Sequence, residues 1–130
     1  MAVEALRNND MMAHLMDALD RGEDIGHYGR LVFAMVARHF MDDEELVEHL
    51  RKDPSMDDTK ARALVQQVNQ RDYNPPRRER ILEWQAQQDF PICPHGDDPD
   101  ACNVYKNLTF PDGVYDHIQE YREQKAEAQA

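Results

Sequence analysis

The segment from Ile25 to about Phe40 constrains this fold most, because it is the most apolar part of the sequence. Its apolar residues leave little polar surface on a helix, and they are Leu31, Val32, Phe33, Ala34, Met35, Val36 and Ala37. A helix that is apolar on most of its sides lies at the centre of a domain, among other helices. The segment therefore predicts the central helix of a single compact all-α domain.

Amphipathic helices are predicted on both sides of this segment. The apolar spacing predicts a first helix from Val3 to Asp20. Asp42, with Glu45 three residues later, has the spacing of a capping box and predicts the start of a third helix. Ser55 or Asp57 is expected to cap a fourth. Further helices are predicted from Arg77 to Gln88, through Tyr105, and from Pro111 onward.

The chain length of 130 residues fits one domain with one hydrophobic core. We expect a helical domain over residues 1–124, with an irregular, proline-rich loop near 89–100 and a frayed polar tail over 125–130. No apolar run approaches the length of a membrane span, and the first residues lack a basic-then-apolar signal. The sequence thus predicts a soluble, cytoplasmic protein with no membrane partner.

The formal net charge of −11 disfavours a generic polyanion binder, because phosphate binding normally uses a basic surface. Lysine is also rare, with only Lys52, Lys60, Lys106 and Lys125. An acidic, lysine-poor surface is typical of proteins that work in concentrated salt, where the Debye length falls to roughly 3 Å at 1 M. An ordinary acidic protein of a mesophile is the alternative, and composition does not separate the two.

A cationic stripe runs along the predicted central helix. His27, Arg30 and Arg38 lie at roughly 0°, −60° and 20° around a helix that turns about 100° per residue. Ala34 lies between them on the same face. A phosphate could approach such a stripe, and arginine binds phosphate at two points. The alternative is a solvent-facing stripe paired with some of the 26 acidic residues.

The sequence Cys93-Pro94-His95, followed by Cys102, could supply three zinc ligands. Candidate fourth ligands are Asp98, Asp100 and His117. Two cysteines are half the thiolates of an iron–sulfur cluster. The alternative is a pair of small apolar residues packed under the loop. We therefore expect no cofactor, and keep zinc or an iron–sulfur cluster as alternatives.

Other polar features do not form a catalytic set. The basic cluster Arg77-Arg78-Glu79-Arg80 stands at a helix start, where cations are slightly unfavourable, so a partner or local pairing with acids could explain it. No serine or cysteine has an evident base, and no glycine-rich phosphate loop is present. The sequence predicts that the chain is not an enzyme.

Several short motifs follow one another in a recognisable order. They are Gly22-Glu23, His27-Tyr28-Gly29-Arg30, Glu44-Glu45-Leu46, Asp53-Pro54-Ser55, Tyr73-Asn74-Pro75-Pro76, Cys93, Cys102 and Tyr105. This order resembles the C-terminal iron–sulfur domain of the archaeal and eukaryotic DNA primase large subunit. The resemblance covers about Met11 to Tyr115.

The resemblance implies a function for the stripe. His27, Arg30 and Arg38 match positions where that family contacts the template–primer junction and the 5′-triphosphate of the first nucleotide. The resemblance implies an iron–sulfur domain. Two of the family's four cluster cysteines fall on Met11 and Arg78, however, and these departures predict that the cluster is lost.

The sequence therefore favours a non-catalytic accessory domain that binds single-stranded or primer-junction nucleic acid, or a nucleotide triphosphate. A primase or polymerase catalytic protein is its expected partner. An acidic protein–protein interaction domain on the same fold is one alternative, and a small zinc-binding domain built on Cys93, His95 and Cys102 is another.

Overall fold

A computed structural model describes residues 2–94, 98, 102–110 and 114. The regular structure of these residues is helical. Within these residues a 3-10 turn, Leu6–Asn8, follows α1, and no strand occurs. The helices are α1 (Ala2–Ala5), α2 (Asp10–Asp20), α3 (Gly26–Ala37), α4 (Asp43–Leu50), α5 (Asp58–Gln70), α6 (Arg78–Gln85) and α7 (Val104–Asn107). The expected all-α domain is confirmed. None of the helices described is long and apolar enough to cross a bilayer.

Side-chain caps set the start of α2, α4, α5 and α7. The Asp42 carboxylate accepts the Glu45 backbone N–H at 2.9 Å, so the predicted start of α4 is confirmed. At α5 the cap is Asp57, which accepts the Lys60 N–H at 2.8 Å. Each cap satisfies a backbone donor that the first turn of a helix leaves unpaired.

The prediction of one unbroken helix from Val3 to Asp20 is wrong at Asn9. This residue has extended backbone angles, φ −100° and ψ 125°, and its side chain accepts the Met12 N–H at 3.0 Å. Asn9 is fully buried. The apolar spacing continues across the break, which is why periodicity alone does not reveal it.

The predicted central position of α3 is confirmed, since this helix contacts α2, α4, α5 and α6. Its buried residues include Val32, Phe33 and Val36, all with no exposed surface. Burial of each such side chain stabilises the fold by roughly 1.5–3 kcal/mol. Because α3 is covered on most sides, its few polar residues lie at the edges of helix contacts.

The segment after α6 closes the core without much helix. Residues 86–94 contain turns and bends, and α7 follows where a short helix was predicted. Ile92, Leu108 and Phe110 are buried in the same core as α3. The Tyr105 hydroxyl donates to the Pro75 carbonyl. Of the helix predicted from Pro111 onward, only Val114 lies within the described residues.

Candidate functional site

Arg30 of the predicted cationic stripe is held by two carboxylates. Its Nη1 lies 3.1 Å from Oδ2 of Asp53 and 3.0 Å from Oδ1 of Asp24. The Arg30 side chain is 14% exposed, and that of Asp53 is fully buried. Asp53 also accepts the backbone N–H groups of Ile25 and Ser55, at 3.0 and 2.8 Å. The pair therefore ties the start of α3 to the loop before α5.

The second carboxylate, Asp24, is more exposed and equally well bonded. It accepts the Ser55 hydroxyl at 2.6 Å and the Gly26 N–H at 2.8 Å. These two donors, followed by Arg30, hold the pKa of Asp24 below its ordinary value. Asp24 consequently stays ionised near neutral pH and keeps Arg30 in place.

Arg38, at the other end of the stripe, contacts the end of α5. Its Nη2 donates to Oδ1 of Asp72 at 2.8 Å and to the Tyr73 carbonyl at 2.9 Å. Asp72 has a positive φ of 48°, typical of the residue just after a helix. Arg30 and Arg38 thus tie α3 to the segments on either side of α5, so both arginines have roles inside the fold.

A surface pocket of about 460 Å³ lies between the start of α3 and α5. Its lining residues are His27, Arg30, Ser55, Met56, Lys60, Ala63, Leu64 and Gln67. The structure therefore brings two of the three predicted site residues together and adds Lys60, while Arg38 is not among the lining residues. His27 and Lys60 are exposed, and neither makes an ion pair with a described residue. We call this the α3/α5 pocket.

A row of rings extends from the α3/α5 pocket toward α6. The rings of His27 and Tyr28 meet edge to face at 5.1 Å, and Tyr28 stacks on Trp84 at 5.6 Å and 13°. Cζ of Arg80 lies 6.0 Å from the Trp84 ring centroid. We call these four residues the aromatic row. Sequence reasoning missed it because its halves lie on two helices, although the basic cluster that contains Arg80 was a partial signal.

Gln88 positions the start of α3, a role that sequence reasoning also missed. Ile25, the residue before α3, supplies no side-chain cap. Instead Oε1 of Gln88 accepts the Tyr28 N–H at 2.9 Å, and Nε2 donates to the Ile25 carbonyl at 2.9 Å. A Cβ added to Gly26, whose φ is 79°, would lie 2.5 Å from the Gln88 side chain. Glycine is therefore required where this cap approaches.

The two cysteines meet inside the core as free thiols. The Cys93 Sγ lies 2.6 Å from the Cys102 Sγ, and both residues are buried. Burial, then the bond from Cys93, raises the pKa of Cys102 to about 12. The Arg78 guanidinium also approaches Cys102. At neutral pH the protonated thiol is thus strongly favoured over the thiolate that metals need.

This donor set does not fit a four-thiolate cluster. Met11 is fully buried, and Arg78 brings a cation where the resembled family has a thiolate. Among the described residues, no group of three or more His, Cys, Asp or Glu is placed to hold a metal. His95, the third predicted zinc ligand, lies outside the described residues, so the zinc alternative stays a prediction.

Comparison with known proteins adds no relative to these observations. No family model matches the sequence, and neither a curated protein nor a solved structure matches the chain. The resemblance to the primase large-subunit domain therefore rests on the ordered motifs of the sequence alone and remains an expectation.

Proposed function

We propose that the α3/α5 pocket binds phosphate groups of single-stranded or primer-junction nucleic acid, or of a nucleotide 5′-triphosphate, and that the chain acts as a non-catalytic accessory domain. The observation that carries this proposal is the set of nitrogen donors that line the pocket. His27, Arg30 and Lys60 line it, and none of the described lining residues is acidic, in a chain with 26 acidic residues. Nitrogen donors gathered in one concave site, with Lys60 as a free cation among them, favour an anionic ligand.

Three side chains of the pocket contribute in different ways. Lys60 is exposed and carries three donors on a flexible stem, so it can follow a phosphate. His27 supplies a ring N–H at the pocket edge. Nη1 of Arg30 donates to Asp24 and Asp53, so the Nη2 donors are the ones left for a ligand. Charge-assisted hydrogen bonds of this kind contribute about 1.5–3 kcal/mol each.

The net charge of −11 shapes how such binding would depend on salt. One free cation in the pocket, Lys60, corresponds to a slope of roughly −0.7 in log K against log salt for a single strand. The acidic remainder of the surface repels a polyanion most strongly at low salt, which flattens this slope further. We therefore expect an affinity that survives salt better than that of a basic nucleic-acid-binding protein.

The test should avoid Arg30 and Arg38, since their loss would break ion pairs of the fold. Lys60→Gln removes a free cation from the pocket, and Lys52→Gln is its matched control because it removes the same charge elsewhere. Lys52 is similarly exposed and pairs with Asp20 at 2.6 Å. The probe is a labelled, 5′-triphosphorylated oligothymidylate, measured by fluorescence anisotropy in low and high salt.

We expect Lys60→Gln to weaken binding by about tenfold or more, as the loss of one charged hydrogen bond predicts, and Lys52→Gln to change it less than about twofold. His27→Gln in addition should weaken it further. Equal affinities for wild type and the His27→Gln, Lys60→Gln double variant would refute the pocket assignment. No binding by the wild type at any salt would support the alternative, an acidic domain that docks a basic partner protein.

A further inference from the structure

The aromatic row lies beside the α3/α5 pocket, and His27 belongs to both. From His27 the row continues through Tyr28 and Trp84 to Arg80. A ligand phosphate in the pocket would therefore have aromatic side chains next to it. We propose that the aromatic row is a stacking platform for unpaired bases, so the ligand of the pocket is single-stranded nucleic acid and not a free nucleotide. This inference rests on the proposed function of the pocket.

The two central rings form one stack, and Arg80, which lies over the indole, is itself exposed and can move aside for a base. Tyr28 and Trp84 are only partly buried, and their planes lie within 13° of each other. The Tyr28 hydroxyl donates to Oε1 of Gln87 at 3.2 Å, and its backbone N–H donates to Gln88, so the phenol ring is fixed from two sides. A fixed ring loses little conformational entropy when a base stacks on it.

Cations stand at both ends of the row. The Arg80 guanidinium lies over the indole at one end, and His27 leads to Lys60 and Arg30 at the other. Arg80 is paired with Glu83 at 3.5 Å, but both side chains are more than half exposed, so this pair contributes little and can open. Alternation of cations with partly exposed rings is the arrangement that binds the backbone and bases of a single strand.

The platform also discriminates between ligands. A duplex keeps its bases stacked on one another, so the ring faces would have no base to receive. A free triphosphate or a phosphate chain without bases would occupy the pocket alone. A single strand would use the pocket and the row together, which predicts that its bases add affinity beyond its phosphates.

The chain provides its own reporter, because Trp84 is its only tryptophan. Intrinsic fluorescence is titrated with three probes: tripolyphosphate, oligothymidylate, and an abasic oligomer with the same number of phosphates. We expect oligothymidylate to quench Trp84 and to bind at least fivefold tighter than the abasic oligomer, as one stacked base predicts. Tripolyphosphate should bind without comparable quenching.

Two variants separate stacking from packing. Trp84→Leu keeps an apolar contact with Tyr28 but removes the indole face, and should reduce oligothymidylate affinity to that of the abasic oligomer. Gln87→Ala keeps every residue of the aromatic row, removes only the bond from the Tyr28 hydroxyl, and should bind as wild type does. Far-UV circular dichroism and urea unfolding confirm that each variant is folded.

The outcomes distinguish the two proposals. Equal affinities of wild type for oligothymidylate and the abasic oligomer, without quenching, would overturn the stacking platform and leave the phosphate pocket in place. Failure of all three probes to bind would overturn both. The titration of the wild-type protein distinguishes these outcomes even if Trp84→Leu does not fold.

Discussion

The guanidinium of Arg30 and the carboxylate of Asp53 form an ion pair, with Nη1 and Oδ2 3.1 Å apart, at the point where α3 meets the loop before α5. Asp53 has no exposed surface, and its two oxygens also accept two backbone N–H groups. Removal of this buried carboxylate would leave each of its partners without a hydrogen bond. Asp53 therefore holds the surrounding chain segments together.

Asp53→Ala should therefore destabilise the fold by about 3–5 kcal/mol, as removal of one member of a buried ion pair does. Urea unfolding followed by circular dichroism measures the loss. Asp24→Ala is the matched control, since Asp24 contacts the same Nη1 but its side chain is 51% exposed. We expect a loss of about 1 kcal/mol there. Similar losses for both variants would contradict the assigned importance of burial.

Substitution of Arg38 separates effects on stability from effects on ligand binding. Its bonds to Asp72 and the Tyr73 carbonyl hold the end of α5, and it does not line the α3/α5 pocket. Arg38→Ala should thus lower the free energy of unfolding by about 2 kcal/mol, in the range for charged hydrogen bonds, while the folded variant binds oligothymidylate as wild type does. Lys60→Gln should show the opposite pattern. A binding defect in folded Arg38→Ala would restore the continuous stripe as the site.

Gln88→Ala should destabilise α3 from a distance of more than fifty residues in sequence. The variant leaves the Tyr28 N–H and the Ile25 carbonyl without the partner that now satisfies them. We expect a loss of about 1–2 kcal/mol, typical of a lost helix cap. Gln87→Ala is the control, because exposed Gln87 contacts α3 only through the Tyr28 hydroxyl, and should cost less than about 0.5 kcal/mol. Thermal and urea unfolding of both variants make the comparison.

Acid should destabilise the protein before its carboxylates are protonated. Burial, then repulsion by Arg38, lowers the pKa of His39 from 6.5 to about 4. The unfolded chain takes up this proton below about pH 6.5, whereas the folded chain resists until about pH 4, so stability is lost as pH falls through that window. We expect a loss of about 2 kcal/mol between pH 7 and pH 5. Burial lowers the pKa of His49 as well, which adds to the effect.

His39→Gln tests the assignment. Its free energy of unfolding should change less between pH 7 and pH 5 than that of wild type, whatever the variant costs at pH 7. The lowered pKa values of Asp20 and Asp24 place their contribution at more acidic pH, outside this interval. An unchanged pH dependence in His39→Gln would show that the proton is taken up elsewhere.

The buried thiols should be inert in the folded protein and close enough to oxidise together. With the pKa of Cys102 at about 12, its thiolate fraction at pH 8 is far below one in a hundred, so iodoacetamide should label it only after unfolding. Diamide takes one hydrogen from each thiol, and it should form an intrachain disulfide when the protein is unfolded in denaturant and then refolded, because burial and the raised pKa of Cys102 block the reaction in the folded state. For a loop of this length the added stability is about 2–3 kcal/mol.

Cys93→Ser provides the control for this experiment, because one cysteine cannot close a loop. Diamide should leave the stability of that variant unchanged. Mass spectrometry of the oxidised wild type should show a loss of two hydrogens within one chain. Rapid labelling of both thiols in the folded protein would contradict their burial.

Most helices were predictable because their signals are local. The capping residue Asp42 and the proline and glycine breaks lie within a few positions of the helix ends they define. The central position of α3 was predictable from its apolar surface, since such a helix has no alternative to burial. The prediction of an unbroken helix fails at Asn9 for a physical reason. Asn9 interrupts the helical backbone and caps α2, but the apolar residues keep their helical spacing across it.

Part of the candidate site was likewise predictable from local sequence, and part of it was not. The sequence placed His27 and Arg30 on one face of a helix, and the structure brings both to one pocket. Helical angles could not show that Arg38 would be occupied by the end of α5, because that depends on how α5 packs. Lys60 and Trp84 approach α3 from other helices, so no local pattern identified them.

The sequence by itself thus determined most helical elements, the caps of α4 and α5 and the burial of α3, because these follow from residues within a few positions of one another. Tertiary structure decided which charges pair, where Gln88 caps α3, and which cations remain free to meet a ligand. These depend on contacts between residues far apart in the chain, and the energy of such a contact exists only once the helices have packed.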